Sequence, residues 1–236
     1  MVSFVFFLSK INHSSKMPCI KDGKRTMTKK NRRDPIEEEY LLKYGDIPSD
    51  EEARLAYVLN KYNFTEKSLD KALCRLDNLE WKTVEFTLFL VPMPTPRPRY
   101  DGNHFYVRGA ARNKKMIKRF IERHIIYTRC EIYIEAYLPT PTSLMSNAEI
   151  YLAEMKKIFP VGSADVDNLM KTYMDMIQGH LLLNDNIVTL GHLEKFYSVK
   201  PRLVIFIRYQ DGFDSHFNEK RMTNTSAYKM EFGDQK

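Results

Sequence analysis

The chain is 236 residues long and contains 43% hydrophobic and 12% aromatic residues, so it can bury the core of one main domain with extensions. Its three cysteines, Cys19, Cys74 and Cys130, are widely spaced without a CxxC pair, which argues against a disulfide framework or a zinc site and favours a reducing compartment. The formal net charge of +7 favours a polyanionic partner if the basic residues are grouped.

Residues 1–33 form the first segment, which is basic and has no sustained hydrophobic period. It holds nine Lys or Arg residues against one acid, Asp22, and predicts a flexible arm that contacts phosphates without sequence preference. For its first residues, an artefact of cloning or of the assigned start is an equal alternative. The apolar opening, 1–8, is far shorter than the roughly 20 residues that span a bilayer, so we expect a soluble protein that is neither secreted nor membrane-bound.

Residues 34–80 are predicted to form an acidic helical extension. Acids outnumber bases by twelve to six, and two capping sequences, 49–52 and 65–68, indicate the starts of helices. Apolar residues recur at helical spacing after each capping sequence. The extension would pack on the rest of the chain, shield a basic surface, or act as an adaptor for a replication or recombination protein, and packing is the commonest of these roles.

Residues 81–211 alternate between strand and helix patterns and predict an α+β domain. A β-rich run over 84–91 ends in a proline-rich stretch, because proline cannot continue a strand ladder. The remaining elements are predicted in this order: a short strand near 104–107, a basic helix over 113–124, a strand over 131–138, a helix over about 147–157, a helix ending near Gly179, and strands near 187–197 and 202–209. Residues 212–236 are polar and are expected to be a loose tail.

The basic residues outside the arm are concentrated at 97–129, which holds ten Lys or Arg residues against two acids. A solvated helix face would by itself explain such a cluster. Its presence in the same domain as an acidic motif, at 165–171, instead favours a polyanionic ligand. The candidates for contacts with a DNA backbone are Arg97, Arg99, Arg112, Lys114, Lys115 and Lys118.

That acidic motif is Asp-Val-Asp-Asn-Leu-Met-Lys at 165–171, and Asp185 follows fourteen residues after its lysine. Asp165 and Asp167 project from the same side of an extended segment, where they can share one metal. If a helix starts near Asp167, Lys171 lies one turn further on the same face, and Asp185 can return to the helix start. Mg²⁺ binds through a few carboxylates and keeps several waters, so these residues predict a metal site for phosphodiester chemistry.

The same residues also allow a purely structural interpretation, and their spacing alone favours neither. Asp167 can serve as a helix N-cap, and Lys171 with Asp175 can form an ordinary surface pair of small energetic value. Asp185 and Asn186 can form a turn. If the carboxylates converge, however, like-charge repulsion implies a bound cation or proton.

The motif resembles the core motif of the RusA family of Holliday junction resolvases. The likeness rests on Asp165-x-Asp167-Asn168-Leu169-x-Lys171, on Asp175, and on the apolar run into Asp185-x-x-Val188. The order of predicted elements agrees with the family over roughly 83–210. The resemblance implies a RusA-like mixed β-sheet with flanking helices, preceded here by a helical extension without a counterpart in the family.

What the resemblance implies about function is a homodimeric, Mg²⁺-dependent endonuclease that resolves four-way DNA junctions by paired nicks during recombination and repair. Mn²⁺ would be a substitute metal. Asp165, Asp167 and Asp185 would be the metal-binding catalytic acids, and Lys171 would lie near the scissile phosphate. Such nucleases are commonly encoded by phages or prophages, which would place this one in the host cytoplasm.

One position departs from the family pattern. Members usually carry paired acids at the third acidic site, whereas this chain has Asn184 before Asp185. A neutral amide still coordinates or hydrogen-bonds, but metal affinity would be lower. The sequence therefore leaves open a branched-DNA-binding protein with weak or no cleavage, and also the adaptor role of residues 34–80.

Overall fold

The structure is a computed structural model that describes residues 35–94, 99–100, 105–106, 115, 117–162 and 164–233. The chain divides into two compact units, Met1–Asn63 and Phe64–Lys236. The predicted basic arm, 1–33, lies outside the described residues. Within the described part of the chain, no helix combines the length and the apolar character needed to cross a membrane.

Two helices make up the described part of the first unit: α1, Pro35–Tyr44, and α2, Glu51–Lys61. The side chain of Asp50 caps α2 by accepting a hydrogen bond from the backbone N–H of Ala53 at 3.1 Å, as the capping sequence predicts. No residue of α2 is buried, and the Leu59 side chain is 60% exposed. The helical character predicted for this segment is confirmed, but the apolar side chains of α2 remain in solvent.

The second unit begins with α3, Glu66–Asp77, so the predicted extension spans the boundary between the two units. A capping box between Thr65 and Ser68 starts this helix, in agreement with its sequence. Near the other end, the guanidinium of Arg75 forms an ion pair with Glu219 at 2.8 Å. This contact joins α3 to the carboxyl-terminal part of the same unit.

A four-stranded mixed sheet forms the centre of the second unit, and a two-residue hairpin accompanies it. The strands are β1, Trp81–Leu88; β2, Arg99–Tyr100; β3, Phe105–Tyr106; β4, Cys130–Pro139; β5, Val188–Ser198; and β6, Arg202–Gln210. The order in the main sheet is β1-β6-β4-β5. β6 is antiparallel to both neighbours, whereas β4 and β5 are parallel. The mixed sheet expected from the sequence is therefore confirmed.

Alternating side chains of the central strands form the core. Ile132 and Ile134 of β4 and Ile205 and Ile207 of β6 are fully buried, and Ile134 faces Ile205 across the antiparallel pair. This period of two is what a strand covered on one face requires. The core therefore lies on one side of the two central strands.

A crossover containing two helices connects the parallel strands β4 and β5, since parallel neighbours cannot be joined by a tight turn. These helices are α4, Asn147–Glu154, and α5, Val166–Ile177. α5 buries Leu169 and Tyr173 in the core, and the Tyr173 hydroxyl accepts a hydrogen bond from the backbone N–H of Met93 at 3.0 Å. Burial raises the pKa of Tyr173 to about 12.

The basic helix ends earlier than its sequence predicts. Residue 115 and residues 117–120 are helical, and the helix does not continue to 124. The backbone N–H of His124 instead donates to the carbonyl of His180, and Ile126 pairs with the segment that follows α5. Phe120, an apolar residue of that predicted helix, is 65% exposed. Pairing with a distant segment has therefore overridden the local helical pattern.

The segment after Asp211 forms two helices rather than a loose tail. These are α6, His216–Thr223, and α7, Ser226–Phe232, and a side chain caps the start of each. The ring of Tyr127 holds this segment through contacts at 5.7, 5.5 and 5.0 Å between ring centroids with Phe213, Tyr228 and Phe232. The polar composition did not indicate this order because the stabilising aromatic residues are few and their shared partner is distant in sequence.

Candidate functional site

Asp165 and Asp167 lie at the start of α5. Asp165 occupies the N-cap position with extended backbone, φ −65° and ψ 143°, yet its side chain makes no capping hydrogen bond. Asp167 belongs to the first turn, and both side chains are exposed. Neither carboxylate forms an ion pair with another described residue. Their oxygens are therefore open to solvent or to a cation.

Lys171 continues the exposed face of α5 one turn beyond Asp167. Asp167 and Asp175 lie four residues away on either side, and the structure shows no ion pair between Lys171 and either acid. The opposite face of the helix is buried, so the backbone below Lys171 is fixed while its ammonium group points away from the core. An exposed cation on a helix that the core holds in place can meet an anionic ligand.

Asp185 opens a single 3₁₀ turn, Asp185–Ile187, between α5 and β5. The side chain of Ile187 is buried and anchors the turn, whereas Asp185 is exposed. Asn184 precedes the turn with extended backbone, and its half-buried side chain makes no capping hydrogen bond. The carboxylate of Asp185 is thus presented by a turn that the core holds in place.

The structural roles weighed from the sequence have different outcomes. Asp165 rather than Asp167 is the N-cap residue of α5, and no side-chain bond completes that cap. Lys171 and Asp175 do not pair in the described structure. The turn at Asp185 is present, but its formation does not engage the carboxylate. The predicted site residues are therefore not occupied by the structural tasks that could have explained them.

The chemistry of these acids fits a hard divalent cation, but the structure does not gather them into a ready cage. Among the described residues, no group of three or more His, Cys, Asp and Glu side chains is placed to hold a metal ion. Mg²⁺ commonly binds through one or two carboxylates together with substrate phosphates and waters, so a closed protein cage is not needed. Free carboxylates such as Asp165 and Asp167 are suitable ligands for that mode of binding.

Lys195 of β5 is a charged neighbour of this site that the sequence interpretation missed. Its ammonium Nζ donates a hydrogen bond at 2.9 Å to the carbonyl of Ala164, the residue directly before Asp165. Gly191 lies four residues earlier on the same face of β5, and a Cβ atom added there would be 3.2 Å from the Met170 side chain of α5. This face of β5 therefore packs against α5. The sequence did contain a signal for Lys195, because side chains alternate between the two faces of a strand and this alternation places Lys195 on the face of β5 that α5 covers.

The predicted DNA-contact residues are only partly described. Lys115 and Lys118 are exposed, as expected for residues that meet a phosphate backbone. Arg99 belongs to the short strand β2. The others, Arg97, Arg112 and Lys114, lie outside the described residues.

The domain combines an α+β fold, a mixed sheet and an acidic helix start, and comparison with known proteins assigns it to a family of nucleases. The family profile described as Endodeoxyribonuclease RusA matches residues 90–208. This match covers half of the chain and includes α5, Asp185 and the basic segment.

The chain therefore belongs to the RusA family of endodeoxyribonucleases, whose members resolve Holliday junctions, and the resemblance found in its motif is confirmed. It is also similar to the uncharacterised protein YqaN of Bacillus subtilis (strain 168). The two are 27% identical over 136 residues, which cover 53% of this chain and 95% of that protein. Helices α1 to α3 and α6 to α7 fall outside the range that the family profile matches.

Proposed function

We propose that this protein is a divalent-metal-dependent endonuclease that resolves Holliday junctions or other branched DNA by paired nicks. One observation carries the proposal. Asp165 and Asp167 are exposed at the start of α5, the exposed Lys171 lies on the next turn, and none of the three forms an ion pair with another described residue. Ligands for a metal and a cation for a phosphate are thus presented by one rigid helix, inside the region that matches the family.

Asp165, Asp167 and Asp185 are the residues that would hold Mg²⁺, and Mn²⁺ would replace it. When bound, such an ion lowers the pKa of a coordinated water and offsets charge on the phosphate. Because the protein alone offers no closed cage in its described part, DNA phosphate oxygens and water would complete the coordination sphere. Metal affinity is therefore expected to increase when branched DNA is bound.

Lys171 would face the non-bridging oxygens of the scissile phosphate. Negative charge on these oxygens grows in the transition state, and an ammonium group that is already in place stabilises it without reorganisation. The basic candidates would position the DNA by contacting its backbone without reading the sequence. These are Arg97, Arg99, Arg112, Lys114, Lys115 and Lys118.

Two nicks at symmetric positions require two active sites, which supports a homodimer. β5 is an edge strand of the sheet, and its first half is exposed, with Leu190 43% in solvent. An edge of this kind is available for contact with a second copy. Light scattering of the purified protein would give the mass of the assembly directly.

Asn184 favours a second candidate, a protein that binds branched DNA without efficient cleavage. It stands where the family usually has an acid, and its side chain makes no capping bond that would explain it structurally. This candidate predicts junction binding that weakens steeply as salt is raised, while the DNA stays intact in Mg²⁺.

The first unit favours a third role, as an adaptor for a replication or recombination protein. α2 buries no residue, and its apolar side chains Leu55 and Leu59 are each 60% exposed. An exposed apolar helix face is typical of a partner-binding element. Substituting both residues with serine in the full chain would abolish partner capture and leave nicking unchanged.

The decisive experiment incubates the protein with a labelled four-way junction and Mg²⁺, next to a linear duplex that contains the same arm sequences. The wild-type protein should introduce nicks in the junction and leave the duplex intact. Asp167→Asn should lower the nicking rate by about a thousandfold, because it removes a charged metal ligand. The matched control is Asp70→Asn, the same change at an exposed acid of α3.

The possible results separate the candidates. Intact junction DNA with wild-type protein, together with tight binding, would favour the non-cleaving role. Nicking by Asp167→Asn at the rate of Asp70→Asn would place the chemistry elsewhere in the molecule. If the wild type nicks only weakly and Asn184→Asp nicks faster, the low activity of the wild type is explained by the missing acid at position 184.

A further inference from the structure

A cavity of about 310 Å³ lies in the second unit beside the turn that carries Asp185. One wall belongs to the region that matches the family and includes Arg129 and Asn186. The other wall is built by residues 213–225, which lie outside that region. Pockets for small ligands range from about 300 to 1,000 Å³, so this cavity can receive one small group and not a duplex.

The charged side chains of the cavity favour an anion. Arg129 and Arg221 line it, and the one acid among its described lining residues is Asp214. Asp214 Oδ1 already accepts hydrogen bonds from Asn218 Nδ2 at 2.7 Å and Ser215 Oγ at 3.0 Å. Arg221 is exposed and forms no ion pair within the described structure. A free guanidinium matches the geometry of a phosphate.

Arg129 is held in place at the opposite wall. Its Nε donates to the Thr189 hydroxyl at 3.1 Å, and its guanidinium lies 5.3 Å from the centre of the Trp81 ring. Its Nη2 also forms an ion pair with Glu131 at 3.5 Å, and these three contacts fix the side chain before any ligand binds. A cation that is already oriented loses little conformational freedom on binding.

The cavity also offers aromatic surface. Tyr127 and Phe213 both line it, and their ring centroids are 5.7 Å apart at an interplanar angle of 46°. Tyr127 is fixed from behind by the rings of Tyr228 and Phe232. Rigid aromatic faces of this kind are platforms on which unpaired bases stack, and the amide of Asn186 can meet the edge of a base.

We infer that the cavity binds a single unstacked nucleotide of a DNA strand, with its base against Tyr127 and Phe213 and its phosphate between Arg129 and Arg221. Asn186 follows Asp185 directly in the same 3₁₀ turn, so the bound nucleotide lies next to a proposed catalytic acid. This inference rests on the proposed function. It explains how the protein would select branched DNA, because unstacking a nucleotide at a branch point costs less free energy than unstacking one within a duplex.

The test uses a four-way junction with 2-aminopurine, whose fluorescence rises on unstacking, at the branch point. Binding is measured with the full chain in the absence of divalent cations, so that the DNA stays intact. Wild-type protein should increase the fluorescence. Arg221→Gln should weaken junction binding by about tenfold and reduce the increase, and Arg221→Glu should weaken it further. The control is Lys220→Gln, which removes an equal charge from the adjacent exposed position of α6.

Circular dichroism of each variant verifies the fold, and nicking in Mg²⁺ is measured in parallel. If wild type nicks the junction while both Arg221 variants behave like Lys220→Gln, the inference about the cavity is overturned and the proposed function stands. If no protein nicks the junction but the fluorescence rises with wild type and less with the Arg221 variants, the inference about the cavity stands and the proposed function is overturned. Binding of free deoxyadenosine monophosphate that junction DNA cannot displace would overturn the inference, because the cavity would then serve a free nucleotide.

Discussion

Helices α5 and α2 have similar lengths and comparable apolar content, but they use their apolar side chains differently. In α5, Leu169 and Ile177 are fully buried, and the exposed face carries Asp167 and Lys171. In α2 no residue is buried, and Leu59 remains 60% exposed. α5 is thus held rigidly by the core and can present charged groups in fixed positions. The packing of α2, by contrast, depends on the surface that covers its apolar side chains.

The largest effect is expected on the exposed face of α5. Lys171→Gln should lower the rate of junction nicking by about a hundred- to a thousandfold, because the transition state loses a preorganised cation. Junction affinity should change little, since one of many phosphate contacts is removed. The control is Lys67→Gln on α3, and equal nicking rates for the two variants would contradict a catalytic role for Lys171.

The buried face of α5 should control stability instead. Leu169→Ala removes a fully buried side chain and should cost about 2–5 kcal/mol of unfolding free energy. The same change at the exposed Leu59 of α2 should alter it by no more than about 0.5 kcal/mol. Urea unfolding followed by circular dichroism measures both. Similar costs at the two positions would show that α2 is covered in the free protein.

A third effect concerns Tyr173, on the buried face of α5. Burial raises its pKa from 10.0 to about 12, so the neutral form is favoured in the folded state. This contribution to stability is complete below pH 10 and is lost as the pH rises towards 12. Over that range the unfolding free energy of the wild type should fall by roughly 2 kcal/mol more than that of Tyr173→Phe. Parallel slopes for the two proteins would contradict the shift.

The smallest effect is expected from Lys195, a positioning residue that acts through the backbone before Asp165. Lys195→Met removes the hydrogen bond to the Ala164 carbonyl and should raise the Mg²⁺ concentration for half-maximal nicking by about tenfold. Lys195→Arg keeps a donor and should restore most of the metal response. A purely structural role would instead lower stability in both variants and leave the metal dependence unchanged.

Much of the fold was predictable because its signals are local. The capping boxes of α3 and α4 and the buried positions of α5 follow from short-range patterns. Val166 is a local exception, since it is apolar but lies in the first turn of α5 and is 44% exposed. The sequence did not predict helices α6 and α7, because their stability depends on ring contacts with Tyr127, which lies nearly ninety residues before its partner Phe213.

The candidate site was predicted less completely than the fold. The identities of Asp165, Asp167, Lys171 and Asp185 came from the motif, and their exposure agrees with it. The role of Lys195 became visible only with its contact to Ala164. The described structure does not gather the three acids into a metal cage, so their joint binding of a metal together with DNA phosphate and water stays a prediction.

By itself the sequence determined the family, the kinds of ligand atoms available and the local starts of the helices, because these depend on residue type and short spacing. Only the tertiary structure decided which acids form no ion pair with another described residue, which lysine supports the start of α5, and how the final helices close a cavity beside Asp185. The physical reason is that pairing and enclosure depend on which distant segments are neighbours in space. Residue spacing along the chain does not contain that information.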